Sequence, residues 1–414
     1  MKKSLIIIIT IIVLTGIIAI PYATGVVAEQ KYSSYEDRIY SKLQVTPVEQ
    51  TYQRNWFNSY AQASFKADDN HNYLLTQDID HGFYPIQKPV IHTIIQDLSN
   101  TKKPLLEMIT TVQLNADTLT TIKIPARSVK TDKAELQWKT LEASIYMKRH
   151  LAGIDVTFNG SKIQLDTEKE QIIINNLKIA TNLKPDESNL MQILGNLFID
   201  DMKISGENLE TIKLKNINFE GNNKNANEHI TLAMKTDVQQ LQVGTEIYKS
   251  NSVELSLSHW HIPSLNDMKN TLVELQQQNL PADMLKRVGM FRLMPYGIKL
   301  LNNTPKVTVN NFNMNTTEGN VSGNLEIKME PFEASIFGLL NNPSILIKAL
   351  NAKLELLAPK TVVKKVIKQP REDAWLDKGI LIPTENDYYQ TKIKLTNGVL
   401  KANGKDLPIN TNVY

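Results

Sequence analysis

The chain has 414 residues, a formal net charge of +3 and no cysteine. Near-neutrality excludes the electrostatic footprint of a nucleic-acid-binding protein. The missing cysteines exclude disulfides, thiolate nucleophiles and cysteine-based zinc sites together.

Lys2 and Lys3 precede an uncharged stretch from Ser4 to Ala28, densest in apolar residues from Leu5 to Ile20. As a helix rising about 1.5 Å per residue, it exceeds the roughly 30 Å hydrocarbon core of a bilayer. Lysines before it and Glu29, Glu36 and Asp37 after it put the N-terminus in the cytoplasm. Residues 1–28 therefore read as a signal anchor, a single transmembrane helix in contact with the inner membrane through residues 4–28. The alternative is a signal peptide cleaved after Ala28, since Val26-Val27-Ala28 is a passable small-residue site. Pro21 and Gly25 argue against one smooth helix throughout. Tyr32, Tyr35, Ile39 and Leu43 recur at helical spacing and predict a membrane-proximal amphipathic helix over 29–46, ended by Pro47.

From residue 47 the hydrophobic period changes to two. Ala61, Ala63, Phe65 and Ala67 alternate with polar residues, a half-buried strand after a turn at Asn58-Ser59. Strand patterns continue through Val112–Leu114, Ile122–Ile124 and Ile154–Phe158. Turns are expected at Asn159-Gly160, Gly206, Gly221-Asn222-Asn223 and Asn302-Asn303. Four segments share one pattern, two alternating apolar residues, then Asn or His, then two more. They start at Ile172, Ile212, Leu255 and Val307, with Asn176, Asn216, His259 and Asn311 at the polar position. The apolar alternation slips by one at that residue, which would move side chains to the other sheet face unless a bulge restores them.

Helices are expected over Leu190, Ile193, Leu194, Leu197 and Phe198, with Asp186 or Ser188 as cap. A second is capped by Ser264 and carries Leu265, Met268, Leu272 and Leu275. A third, with Met284, Leu285, Val288 and Phe291, is opened by Pro281. Met268, Met284, Met290 and Met294 are assigned to the core rather than to an adaptable ligand surface. Phe332–Leu350 is mixed and split by Pro343. Lys360, Lys364, Lys365 and Lys368 read as a solvated helix face. The tail returns to strands, Thr391–Leu395 and Val399–Ala402, with turns at Asn397-Gly398 and Asn403-Gly404.

The expected fold is β-rich α+β: a long twisted antiparallel sheet built from repeated strand units with a few packing helices, filling residues 47–414. Candidate chemistry is sparse. Asp78, Asp80 and His81 form the one compact acid/His cluster; a turn, with Asp80 capping backbone and Gly82 at unusual φ, explains it better than a hydrolase site. His259 and His261 lie two apart on one strand, compatible with a metal but also part of the repeat. Neither is assigned a catalytic, cofactor or metal role, and no nucleotide or serine-nucleophile motif is present.

Several short motifs carry a resemblance. Tyr52-Gln53-Arg54-Asn55-Trp56-Phe57 precedes a small-residue strand, Asp80-His81-Gly82-Phe83-Tyr84-Pro85 follows, and Tyr389-Gln390-Thr391, Asn397-Gly398-Val399-Leu400 and Asn403-Gly404-Lys405 close the chain. In this order the chain resembles the YdgA-like family of Gram-negative envelope proteins over nearly its whole length. Phe83 departs from that family's pattern, which commonly has proline there. The resemblance implies a single-pass inner-membrane protein with a periplasmic body and supplies no activity. The strand repeats are also similar to those of AsmA-type bridge proteins, whose long β-grooves are associated with lipid. The reading that results is a non-enzymatic envelope protein holding a lipid or other hydrophobic component in a β-sheet groove. The alternative is a scaffold that binds another envelope protein and no small ligand.

Overall fold

The computed structural model describes residues 46–68, 71–82, 87–98, 104–186, 191–207, 209–278, 281–342, 344–367 and 369–408. The anchor and the amphipathic helix expected before Thr46 lie outside them. Among the described residues no helix is long and apolar enough to cross a membrane. The chain divides into two compact units, Met1–Pro185 and Asp186–Tyr414.

In the first unit the described strands are β1 (Thr46–Arg54), β2 (Asn58–Asp68), β3 (His71–Asp80), β4 (Val90–Asp97), β5 (Pro104–Val112), β6 (Thr118–Ile124), β7 (Arg127–Lys130), β8 (Ala134–Trp138), β9 (Leu141–Met147), β10 (Ile154–Thr167) and β11 (Glu170–Pro185). Strands β1 to β6 pair in sequence, then β6 with β9, β9 with β10 and β10 with β11, all antiparallel. The β7–β8 hairpin pairs through β8 with the far half of β10.

The second unit is a meander of β12 (Met191–Gly206), β13 (Leu209–Ala226), β14 (His229–Val243), β15 (Glu246–His261), β16 (Lys306–Thr316), β17 (Gly319–Met329) and β18 (Leu350–Pro359). It finishes with β19 (Ile382–Pro383), β20 (Tyr388–Thr396), β21 (Val399–Ala402) and β22 (Lys405–Leu407), β20 lying between β18 and β21. Helices fill three of its connections. They are α1 (Ile262–Gln277) with α2 (Ala282–Asn302), α3 (Ile336–Asn341) with α4 (Ser344–Ala349), and α5 (Lys360–Val366) with α6 (Gln369–Asp377). The fold is thus β-rich α+β, its described strands pairing antiparallel, as the strand periodicity predicts.

The two Asn-Gly turns are of the hairpin type: Asn397, Gly398, Asn403 and Gly404 all have positive φ, which matches the right-handed twist of the flanking strands. Pro281 caps α2, and α3 and α4 flank Pro343 as expected. For α1 the cap is His261, whose Nδ1 accepts from the Ser264 amide at 3.3 Å; Ser264 itself is fully buried inside the helix.

The stretch expected to be a helix at 190–198 is β12, from Met191 onward. Its Leu194, Leu197 and Phe198 pair across to Asn222, Phe219 and Asn218. Gly195, costly in a helix interior, sits opposite Gly221. Asn159-Gly160 and Gly221–Asn223 are not turns but strand interiors. Gly160 is there for space: a Cβ on it would lie 3.1 Å from the Leu141 side chain. The first hairpin turns at Asn55–Phe57, closed by Asn55 N–H to the Asn58 carbonyl at 2.9 Å, so Asn58 already belongs to β2. Lys365 is not merely solvated; it bridges Glu246 at 3.1 Å and Glu318 at 2.5 Å, holding α5 to the start of β15 and to the turn after β16. Beneath it, Val363 joins Val321, Ala358, Leu381 and Tyr389 in the core of this unit. Met284 and Met290 are exposed rather than core.

Candidate functional site

Residues directly opposite in an antiparallel pair share a sheet face. Followed across the first unit, the register aligns Ala61, Gln77, Thr93, Met108, Ile122, Ala143, Phe158 and Ile179 in one row. A neighbouring row on that face runs Ser59, Ile79, Ile91, Thr110, Thr120, Ile145, Val156 and Thr181. The other face carries Thr76, Ile94, Glu107, Lys123, Glu142, Asn159 and Lys178 in register. One face is therefore apolar with small hydroxyl residues, the other charged. Ser59, Ala61, Ala63, Ile79 and Thr93 are fully buried on the apolar face, whereas Met108, Ile122, Ala143 and Phe158 are half-buried. Among the described residues no α-helix belongs to this unit.

The repeated polar residue reverses the backbone within its own strand. Asn176, Asn216, His259 and Asn311 all have positive φ, between 48° and 59°, a region that asparagine tolerates better than branched residues. In unbroken alternation Gly160 and Ile163 would face opposite ways. Here a Cβ on Gly160 would lie 3.6 Å from Ile163 Cδ1 and 3.4 Å from Phe158 Cε1. Ile163 and its partner Ile174 thus stay on the side of Phe158, across the left-handed Asn176. At His259 and Asn311 the register also shifts, as a bulge requires. At Asn216 it is kept on both sides, so the reversal of φ alone does the work there.

A cavity of about 480 Å³ is lined mostly by residues of the charged face, among them Ile94, Glu107, Lys123 and Glu142, and also by Met108, Ile122 and Ala143 of the apolar row. The Ser144 and Thr157 hydroxyls, opposite each other on β9 and β10 in its lining, hydrogen-bond at 2.8 Å.

The Asp78–His81 cluster does not converge. Asp78 and Asp80 share a face, and His81 points to the buried side. Asp80 Oδ1 accepts from the Gly82 amide at 2.9 Å and Oδ2 from Gln87 at 2.8 Å. The His81 ring lies between the Trp56 carbonyl, 3.3 Å from Nδ1, and the Ser59 hydroxyl, 2.8 Å from Nε2. A carbonyl can only accept, so Nδ1 carries the proton. The two N-terminal motifs are thereby one structural unit: the His81 amide also donates to the Phe57 carbonyl. Gly82 has φ +71°, and a Cβ there would lie 2.6 Å from the Gln87 carbonyl oxygen.

The histidines of β14 and β15 meet, which their sequence positions do not reveal for His229. Register sets His229 opposite His261, and its ring lies 5.6 Å from that of His261 and 6.1 Å from that of His259. His261 is committed to Ser264, and Glu228 lies 3.6 Å from its other nitrogen. Among the described residues no three such groups converge to hold a metal ion. Sequence reading also missed Asp117. It accepts from the Tyr146 hydroxyl at 2.5 Å and from the Arg149 amide at 2.7 Å. The Tyr146 hydrogen bond, then the Arg149 amide, hold its carboxyl below the usual range. The local cue was Asn115-Ala116-Asp117, a turn with Ala116 at positive φ. Asp117 thus staples the short turn at Arg149–Leu151 rather than offering a poised acid.

No curated protein matches the chain, and no solved structure does. A bacterial family, described as a bacterial protein of unknown function (DUF945), matches residues 1–410. With nearly its whole length covered, from the apolar N-terminal run to the last Asn-Gly hairpin, the chain belongs to the DUF945 family of bacterial proteins.

Proposed function

We propose that this protein is a non-enzymatic component of the Gram-negative envelope, anchored in the inner membrane by residues 4–28 with its body in the periplasm. Its apolar sheet face would hold a lipid chain or another hydrophobic envelope component. The observation that carries the reading is the in-register apolar face of the first unit, half-buried along Met108, Ile122, Ala143 and Phe158. Such a face is favourable to cover, at about 25 cal/mol per Å² of apolar area removed from water. Small hydroxyl residues in the neighbouring row leave room for a flexible chain. The ligand would lie along an open face rather than inside a closed pocket. His81, Asp80 and Asp117 support a non-enzymatic reading because each is engaged in local structural hydrogen bonds.

The test is native mass spectrometry of the full-length chain released in mild detergent, followed by lipid extraction. Retained acyl lipid is expected, with loss in the Ile122→Glu variant. Absence of lipid from the native chain would remove the ligand from the proposal. A scaffolding role is the second reading, favoured by the cavity among Glu107, Lys123 and Glu142. In-cell crosslinking from Lys123 separates the two: a dominant protein adduct there favours the scaffold.

A further inference from the structure

Beyond the sheet face, the helical hairpin of α1 and α2 exposes more large apolar side chains than its helix contact needs. The helices meet where Leu275 is buried against Gly289, 3.7 Å from the position a Cβ would take there. On the outside, Met284, Val288 and Phe291 recur at helical spacing as one exposed stripe, Met284 at 57% and Phe291 at 48% exposure. Leu272 and Val273 of α1 are exposed as well. Contiguous apolar exposure of this kind marks a contact surface.

Charge decides the occupant. On α2, Arg287 and Lys299 are exposed cations, while Arg292 is paired with Glu274 of α1 at 2.5 Å. Two copies of such a helix stacked on each other would bring like charges together. Apolar side chains beside a basic complement fit the headgroup layer of an anionic membrane, where the apolar stripe sinks between lipids and the cations stay at phosphate level. We infer that the α1–α2 hairpin docks on an anionic lipid surface through Met284, Val288 and Phe291. This rests on the membrane location proposed above and extends it. The anchor would tether the chain, and the hairpin would fix part of the second unit against the bilayer.

The absence of native cysteine makes a direct test available. The full-length chain bearing Phe291→Cys is labelled with an environment-sensitive fluorophore. It is then reconstituted in phosphatidylglycerol–phosphatidylethanolamine vesicles containing lipid-borne quencher. Val399→Cys, also at an exposed site, serves as reference. Quenching at 291 is expected to exceed that at 399 by roughly two-fold or more, and to fall by about half with Arg287→Glu and Lys299→Glu together. A chain that floats with vesicles but shows no excess quenching at 291 overturns the hairpin docking and leaves the anchor standing. A label shielded from water yet untouched by lipid quencher means a protein covers the stripe, and also overturns it. A chain that does not float overturns both readings.

Discussion

Gly82 and His81 are fixed by backbone space and local hydrogen bonds. At Gly82, positive φ and backbone atoms within 2.8 Å of a would-be Cβ leave no room for a side chain. Gly82→Ala is expected to cost about 1–3 kcal/mol or more, read as a lower urea midpoint. His81→Ala strands the Ser59 hydroxyl and the Trp56 carbonyl in a buried site and should cost about 1–3 kcal/mol for the polar groups alone. The same variant should leave lipid retention unchanged once folded. Tyr389 offers a pH signature. Burial, then its hydrogen bond to Glu372 at 2.8 Å, raise the phenol from 10.0 to about 12. A raised folded pKa means the contribution is whole below pH 10 and is lost as pH climbs toward 12, because the unfolded chain ionises first. Thermal unfolding across that window should steepen its decline in the native chain and less so in Tyr389→Phe.

At the scale of elements, the left-handed residue within a strand is the unit that matters. Asn216 has φ 48°, with Ile212 and Leu214 before it and Ile217 and Phe219 after it, all half-buried. Glycine adopts this conformation freely, whereas a β-branched residue meets its own carbonyl. Asn216→Gly is therefore expected to change stability by a few tenths of a kcal/mol, and Asn216→Val to cost about 1–2 kcal/mol, measured by denaturant titration. The one-residue slip in the apolar pattern was legible in the sequence, and so was its remedy at the polar residue. That φ reversal suffices at Asn216 without a register shift was not, because register depends on both neighbouring strands. Gly160 and Gly221 mislead for a related reason. Asn-Gly and Gly-Asn pairs signal turns locally, but long strands on either side overrule them when the glycine is needed for close packing. The segment from Met191 misleads through its spacing: apolar residues three and four apart also satisfy a strand with a glycine in its middle.

At the scale of the molecule, stability without disulfides rests on edge-to-edge strand pairing and one-sided apolar faces. A charge placed centrally on the apolar face should act on both stability and cargo. Ile122 lies between Met108 and Ala143 in register, so Ile122→Glu is expected to destabilise by about 2–4 kcal/mol and to reduce retained lipid. Thr121→Glu, one residue away on the charged face, should do neither; equal effects of the two would remove the one-sided reading.

By itself the sequence determined what depends on local order along the chain: the β-rich class, the Asn-Gly hairpins, the helices at 262–302, the four slips in the apolar pattern and the apolar run at the N-terminus. Each follows from side-chain period, turn stereochemistry or the length of an uncharged segment. Only the tertiary structure decided which residues meet. His81 found Trp56 and Ser59, His229 found His259 and His261, and Asp117 found Tyr146, because strand register joins positions that no spacing rule connects. It also decided that Met284 and Phe291 face outward, since a helix's apolar stripe is buried only where another element arrives to cover it.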